Sequence, residues 1–216
     1  MNWKGSLSLA LLSCVAASHA SIVGVGGSSV LVAAPADATL NQYTHATQVR
    51  VWNELQNFSL PVNITADAVA PGVYNMPSDL GSFVISNDTR VNSHYIHFDT
   101  PAAAAGNAEG SVTFDGVILG VFARGDDSSF TRLDDTDFLS SGTLYDNGLN
   151  ARGLEFAANG NGDRFAISAD GLTLSYRFGI TEPGDRIRVV TAVPEPASLA
   201  ILGLGAASLL RRRRAR

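Results

Sequence analysis

Cysteine and lysine are almost missing from this 216-residue chain: each occurs once, as Cys14 and Lys4. Downstream of these two residues, the lack of thiols excludes cysteine nucleophiles, thiolate zinc sites and disulfide bonds. Between residues 21 and 193, nine arginines are outnumbered by 19 carboxylates, which gives a net charge of −10. A domain with this charge is poorly suited to bind nucleic acid or anionic lipid. We therefore expect a domain that is stabilised by its hydrophobic core and has no nucleic-acid partner.

Long apolar helical patterns are also missing, since no window between residues 21 and 193 keeps a helical period for three turns. Short apolar or alternating runs, bounded by Pro, Gly, Asn or Asp, take their place. These candidate strands are residues 28–33, 47–53, 60–66, 82–86, 91–99, 110–114, 117–123, 153–157, 164–168, 172–178 and 186–192. Asp115-Gly116 and Asp170-Gly171 each join two such runs, which predicts two hairpins. The pattern predicts an all-β fold, with residues 21–193 forming a single antiparallel β-sandwich of jelly-roll type.

The first 20 residues have the features of a secretory signal peptide. Lys4 precedes an apolar run from Leu7 to Ala17, and the small residues Ser18 and Ala20 occupy both positions that define a cleavage site. We therefore expect signal peptidase to cut after Ala20. The alternative is a lipoprotein signal at Cys14, but the apolar run before that cysteine is short and continues beyond it.

Residues 194–216 combine three features in a fixed order. Pro194, Glu195 and Pro196 come first, and two prolines so spaced end any preceding element and keep the glutamate extended. The uncharged, mostly apolar residues 197–210 would form a helix of about 21 Å, which is short against a hydrocarbon core of roughly 30 Å. Four arginines follow: Arg211, Arg212, Arg213 and Arg214. The positive-inside rule then predicts a short transmembrane helix with these arginines in the cytoplasm and the preceding domain outside.

This order of Pro-Glu-Pro motif, glycine-containing apolar segment and arginine run resembles the PEP-CTERM sorting signal of Gram-negative bacteria. Proteins with this signal are substrates of exosortase, a membrane-embedded cysteine transpeptidase that cuts near the motif. Genomes that encode exosortase usually also encode exopolysaccharide synthesis. The resemblance implies an exported protein that is held in the inner membrane, processed by exosortase, and delivered to the cell surface or to an exopolysaccharide biofilm matrix. The alternative is a permanent membrane anchor.

Carboxylates are concentrated in one stretch of the body, on either side of residues 128–133. They are Asp126, Asp127, Asp134, Asp135 and Asp137. Calcium takes six to eight oxygen ligands, and weak extracellular sites fill at millimolar concentrations. The stretch is therefore a candidate calcium site, and the alternative is a solvated acidic loop whose aspartates favour turns.

A second acidic segment imitates the start of an EF-hand loop with Asn159, Asn161 and Asp163. Arg164, however, stands where that loop requires glycine, and the residues after it continue as an apolar strand. We interpret this segment as a hairpin turn. The sequence indicates no other cofactor.

Catalytic motifs are not found: the chain has no Gly-x-Ser-x-Gly elbow, no His-Glu-x-x-His helix and no phosphate-binding glycine loop. Tyr43, Trp52, Tyr74 and Tyr95 are candidates to line a carbohydrate groove, although such residues more often pack inside β-sandwiches. We therefore expect a non-enzymatic structural or binding protein of the cell surface or polysaccharide matrix. Two alternatives remain open: a calcium-stabilised adhesion module, and a secreted polysaccharide hydrolase that uses two of the carboxylates.

Overall fold

Strands make up nearly all of the regular structure in the computed structural model, which describes residues 21–101, 104–124, 132–146, 153–157, 159–160, 162–180 and 184–194. The thirteen strands in these ranges are β1 (Ile22–Gly27), β2 (Ser29–Leu31), β3 (Val49–Asn53), β4 (Phe58–Ser59), β5 (Ile64–Ala66), β6 (Gly72–Tyr74), β7 (Phe83–Ile85), β8 (Arg90–Phe98), β9 (Gly106–Phe114), β10 (Ile118–Phe122), β11 (Arg164–Ile167), β12 (Thr173–Ile180) and β13 (Asp185–Ala192). The 3-10 helices that are described in full are Pro77–Asp79 and Asp134–Leu139. The predicted all-β class is confirmed.

The predicted transmembrane helix, residues 197–210, lies outside the described ranges. Within those ranges, no helix has the length and apolar character needed to cross a membrane.

Two main sheets form the body of the protein. The first has five strands in the order β1-β9-β12-β11-β6, and the second has six, in the order β10-β13-β8-β3-β2 with β4 paired to β8. β5 and β7 form a separate two-stranded sheet. The pairs are antiparallel apart from the parallel pair β2–β3, so the predicted antiparallel character is confirmed.

The two main sheets share one hydrophobic core. Leu174, Tyr176 and Phe178 alternate along β12, which directs all three side chains to the same face, and all three are buried. Ile187 and Val189 alternate in the same way on β13, and they belong to the same core cluster. Burial of each large apolar side chain contributes roughly 1.5–3 kcal/mol relative to exposure. This core stabilises a domain that has no cysteine available for cross-links.

The other face of the six-stranded sheet is covered as well. Trp52, Tyr95 and Val190 point to that face and pack in a second core with Leu139, which ends the 3-10 helix 134–139. β8 and β13 are consequently buried on both faces, and even Arg188 of β13 has no exposed surface. Polar side chains on these strands must therefore find their hydrogen-bond partners inside the protein.

Only one of the two predicted hairpins forms. β11 and β12 pair across Asp170-Gly171, and Gly171 has a φ of 72°, so that prediction is confirmed. The hairpin predicted at Asp115-Gly116 is wrong, because β9 and β10 belong to different sheets. A Cβ on Gly116 would overlap the carbonyl oxygen of Ala192, so glycine is needed here for a close backbone approach. The dipeptide thus carries the chain from one sheet to the other.

Three short or glycine-rich strands, β1, β4 and β6, are not predicted from the sequence. β1 has the sequence Ile-Val-Gly-Val-Gly-Gly, and glycine has a low propensity for strands. Conversely, the predicted strand at residues 153–157 forms only an isolated bridge, between Leu154 and Arg124.

Candidate functional site

The predicted sorting motif begins immediately after the last strand. β13 ends at Ala192, and Pro194 follows it as a half-buried residue without regular structure. The rest of the motif, residues 195–216, lies outside the described residues, as does Ala20 at the expected signal-peptide cut.

The predicted calcium site is described only in part. Asp126 and Asp127 lie outside the described residues. The other three aspartates, Asp134, Asp135 and Asp137, belong to the 3-10 helix 134–139. Asp137 accepts a hydrogen bond from Arg188, with 3.1 Å between Oδ1 and Nη2. A calcium site in this stretch stays a prediction, and one of its five proposed ligands has a cationic partner.

A buried ion pair connects β13 with the residue that follows β3. Arg188 donates two hydrogen bonds to Glu54, from Nε to Oε2 (2.7 Å) and from Nη2 to Oε1 (2.9 Å). The hydroxyls of Ser93 and Tyr145 each donate a further hydrogen bond of 2.6 Å to Glu54. The other hydrogen bonds of the guanidinium go to the backbone carbonyl of Leu133, the hydroxyl of Thr136 and the carboxylate of Asp137. We call these residues the Glu54–Arg188 network, in which opposite charges are paired and hydrogen-bonded.

The charges of this network compensate for its burial. Burial is the largest effect on Glu54 and disfavours its ionised form. The charge and hydrogen bonds of Arg188, together with the hydrogen bonds from Ser93 and Tyr145, outweigh burial, so the pKa of Glu54 is lowered. His94 lies beside the network, with Nδ1 2.8 Å from Oδ1 of Asn53 and Nε2 3.1 Å from Oγ1 of Thr191. Burial lowers the pKa of His94 to about 3 despite the nearby negative charge of Glu54. The imidazole is therefore neutral at physiological pH.

A second group of carboxylates, two of them buried, has no such compensation among the described residues. Glu155, Asp163 and Asp185 each place a carboxylate oxygen within 4.8 Å of those of the other two. In the part of the chain that the structure describes, no other group of three acidic, histidine or cysteine side chains is so closely spaced. Asp163 directly precedes β11 of the five-stranded sheet, and Asp185 is the first residue of β13 in the six-stranded sheet. We call this group the carboxylate cluster; it joins one end of both main sheets.

Two members of the cluster differ sharply in their hydrogen bonds. The oxygens of Asp163 accept hydrogen bonds from the backbone N–H groups of Glu155 (2.8 Å) and Gly179 (2.7 Å), which fix the orientation of this carboxylate. Asp185 is fully buried, and neither of its oxygens has a hydrogen-bond donor among the described residues while the cluster is ionised. A hydrogen bond from Glu155 or Asp163 requires one of these carboxyls to carry a proton. Within the same residues, no arginine or histidine forms an ion pair with any of the three carboxylates.

The electrostatics of the cluster follow from this arrangement. Burial raises the pKa of Asp185 well above its ordinary value, and the charges of Asp163 and Glu155 raise it further. Burial together with the charge of Asp163 also raises the pKa of Glu155 to about 7, although this side chain is on the exposed side of the cluster. Three carboxylates cannot all be ionised here at low cost unless a cation joins them. Hard oxygen ligands of this kind suit calcium, magnesium or manganese.

None of the three carboxylates is identified as a ligand from the sequence, where Asp163 is interpreted as part of a turn. A signal for two of them does exist. The tripeptide Gly-Asp-Arg occurs at residues 162–164 and again at 184–186, each time at the start of a strand. The repeated tripeptide places one aspartate at the start of a strand in each main sheet. No comparable sequence pattern identifies Glu155, because only the fold brings its carboxylate close to the other two.

Two open grooves lie on the described surface. One has a volume of about 660 Å³ and includes Arg132 and Asp135 in its lining. The other has a volume of about 450 Å³ and includes Glu109 between Arg164 and Arg177. Among the described residues, each of these two grooves is lined by a single carboxylate, whereas glycoside hydrolysis uses a pair.

The four aromatic candidates for sugar stacking take part in internal packing. Trp52 and Tyr95 have no exposed surface, and their rings stack with centroids 5.1 Å apart. Tyr43 packs edge-on against Trp52 at 6.1 Å, and Tyr74 stacks on Phe165 at 4.8 Å. The expectation that these residues pack within the fold is confirmed.

Comparisons with known proteins identify the region that follows β13. Residues 192–214 match the PEP-CTERM protein-sorting motif, which confirms the resemblance seen in the sequence. Comparisons with curated proteins and with solved structures gave no match. The chain therefore carries a PEP-CTERM sorting motif at residues 192–214, attached to an all-β body that is not assigned to a family.

Proposed function

We propose that this protein is exported, cut by exosortase near Pro194, and delivered to the cell surface or exopolysaccharide matrix, where its β-sheet body has a structural or binding role. The observation that carries this proposal is the PEP-CTERM motif at residues 192–214. The motif itself implies export and processing by exosortase. The destination and the role are the parts that we add.

The position of the motif relative to the fold supports processing. β13 lies between β10 and β8 in the six-stranded sheet, so its loss would remove an internal strand. The strand ends at Ala192, two residues before Pro194. A cut at or beyond Pro194 therefore leaves every strand of the body intact.

The composition of residues 197–210 supports a transient stay in the membrane. Alanine, glycine and serine make up 8 of these 14 residues. Such a segment is less hydrophobic than a leucine-rich span of full length, which needs about 20 residues. It suits a temporary anchor that holds the protein, with Arg211–Arg214 inside, until the processing enzyme cuts it.

A non-enzymatic role fits the body best. The fold is consistent with a β-sandwich whose two sheets share a core, an architecture that many surface proteins use for binding or adhesion. The described residues that line the two grooves include no pair of carboxylates, so a hydrolase is the less favoured alternative. Exopolysaccharide is the proposed ligand class, and the buried aromatic residues do not contribute to binding it.

Processing can be tested by mass spectrometry of the protein in its native host and in a strain without exosortase. The expected mature protein starts at residue 21 and ends near Pro194, whereas the exosortase-deficient strain retains residues 211–216. Replacement of Pro194, Glu195 and Pro196 by alanine should also leave an uncut precursor in the membrane. A surface protein that still carries residues 211–216 in the native host would show a permanent anchor and contradict the proposal.

The proposed role needs a separate measurement. A glycan array probed with the mature protein should show binding to acidic or neutral exopolysaccharide fragments without shortening them. Release of shorter fragments would instead identify the protein as a hydrolase.

A further inference from the structure

We propose that Glu155, Asp163 and Asp185 bind one calcium ion, which ties the two main sheets together at one end. These three residues are different from the candidate ligands in the acidic stretch at residues 126–137. Two independent observations point to it: the close spacing of the three carboxylates, and the fully buried Asp185 carboxylate, which has no hydrogen-bond donor among the described residues.

The distances within the cluster suit calcium. Two ligand oxygens of one calcium ion can be separated by up to about 4.6–5.2 Å, twice the Ca–O distance. For magnesium the corresponding limit is about 4.0–4.2 Å. The three oxygens lie within 4.8 Å of one another, so they can share one calcium ion with little movement. Magnesium demands near-ideal octahedral geometry and loses its water reluctantly, so calcium is the ion that we assign.

The arrangement of charges also calls for a cation. Asp163 and Glu155, the other two members of the cluster, both act on Asp185 with negative charge. No arginine or histidine of the described ranges pairs with them. A divalent ion would offset most of this negative charge and supply the partner that both oxygens of Asp185 lack.

Within the cluster, Asp163 is held by the backbone and Glu155 is open to solvent. Two backbone N–H groups hold Asp163 in place, while each of its oxygens keeps a second lone pair for a metal. Glu155 is on the solvent side, so water can complete the six to eight ligands that calcium takes. An ion entering from the side of Glu155 would reach Asp185 at the buried end.

The position of the cluster gives the ion a structural effect. Asp163 immediately precedes a strand of the five-stranded sheet, and Asp185 begins a strand of the six-stranded sheet. An ion bound to both resists separation of the two sheets. The domain would then be most stable where calcium is plentiful, which is outside the cell.

The first test is a calcium titration of the full-length chain, purified in detergent micelles and freed of divalent ions with EDTA. Isothermal titration calorimetry should find one calcium per chain with a Kd of about 0.1–1 mM, the range of extracellular modules. At 10 mM calcium, linkage then predicts a rise of about 3–10 °C in Tm, measured by circular dichroism. Magnesium at the same concentration should have a clearly smaller effect.

Matched variants locate the ion. Asp185→Asn keeps the size of the side chain and should weaken calcium binding at least tenfold, with loss of the Tm shift. Asp135→Asn removes an exposed carboxylate from the other acidic stretch and should bind calcium like the wild type. The Tm of each variant without calcium shows that it is folded.

Three results would overturn the proposal. The first is a wild-type chain with no calorimetric binding and no Tm shift up to 10 mM calcium, which would mean that the cluster is neutralised by protons. The second is binding that survives Asp185→Asn but is lost in Asp135→Asn, which would assign the ion to the other stretch. The third is an equal response to magnesium, which would overturn the assignment to calcium.

Discussion

The Glu54–Arg188 network and the carboxylate cluster both contain fully buried ionisable side chains, but the charge of these side chains is compensated in opposite ways. In the network, one fully buried cation faces Glu54 at 2.7 and 2.9 Å, and hydroxyls and a backbone carbonyl occupy the remaining positions. In the cluster, three carboxylates face one another, and Asp185 has no donor in the described part of the chain. The network contains its own compensation, whereas the cluster depends on a proton or a metal ion from outside.

The Glu54–Arg188 network therefore supports the fold from within, whereas the carboxylate cluster is a candidate binding site. Removal of one partner of a buried ion pair strongly destabilises the protein, because the other charge is left buried without compensation. In a cluster of like charges, removal of one charge relieves repulsion and should stabilise the protein. Substitutions in the two regions should therefore change stability in opposite directions.

The largest effect is expected from Arg188→Met, which keeps an unbranched stem but removes the guanidinium and its charge. Glu54 would be left buried and uncompensated, so the free energy of unfolding should fall by about 3–5 kcal/mol. Urea denaturation followed by circular dichroism measures this change. The double variant Glu54→Gln with Arg188→Met should recover part of the loss.

An exposed ion pair supplies the control for that prediction. Arg177 lies 3.4 Å from Glu109, and their side chains are 42% and 68% exposed. Solvent screens such a pair, so Arg177→Met should cost less than about 1 kcal/mol. Equal losses in the two variants would show that the Glu54–Arg188 network is no more important than a surface pair.

The next prediction concerns how the free energy of unfolding changes at low pH because of the buried imidazole of His94. The pKa of this residue is lowered by burial from 6.5 to about 3 in the folded protein, so the unfolded chain binds more protons between these values. The free energy of unfolding should therefore fall as the pH is lowered below 6.5, by about 2 kcal/mol at pH 5 from this group alone. Unfolding in urea from pH 8 to pH 4 should show a shallower slope for His94→Gln than for the wild type. Identical slopes would mean that the imidazole is protonated in the folded state.

The smallest effect is a gain in stability from Asp185→Asn in the absence of calcium. An unsatisfied buried polar group costs about 1–3 kcal/mol, and loss of the negative charge should return about 1 kcal/mol of this. Asp163→Asn is the matched control, because both oxygens of Asp163 accept backbone hydrogen bonds and an amide nitrogen cannot. It should lower Tm where Asp185→Asn raises it. A loss of Tm in both variants would show that Asp185 is stabilising as an anion without a metal.

The sequence predicts β12 because its apolar residues alternate, which reflects burial of a single face. It also predicts β8 and β13, which are buried on both faces, because Pro, Gly, Asn or Asp residues bound these runs. It fails at Asp115-Gly116, since a dipeptide determines the local turn but not the sheet that the next strand joins. Only the folded chain reveals that Gly116 packs against the backbone of Ala192.

The carboxylate cluster cannot be predicted from local sequence patterns, for a similar reason. Glu155, Asp163 and Asp185 are separated by 8 and 22 positions, and the two sheets must form before their oxygens approach. Two of them follow glycine and precede arginine at strand starts, so part of the signal is local. The sorting motif is different, because an enzyme reads it as a linear sequence, and it can be identified from residues alone.

The most direct measurement is a crystal structure of the mature protein grown with 10 mM calcium. An anomalous difference peak is predicted between Glu155, Asp163 and Asp185, at about 2.3–2.6 Å from an oxygen of each. Carboxylate oxygens paired at about 2.5–2.7 Å, with no ion between them, would show shared protons instead and contradict the calcium site.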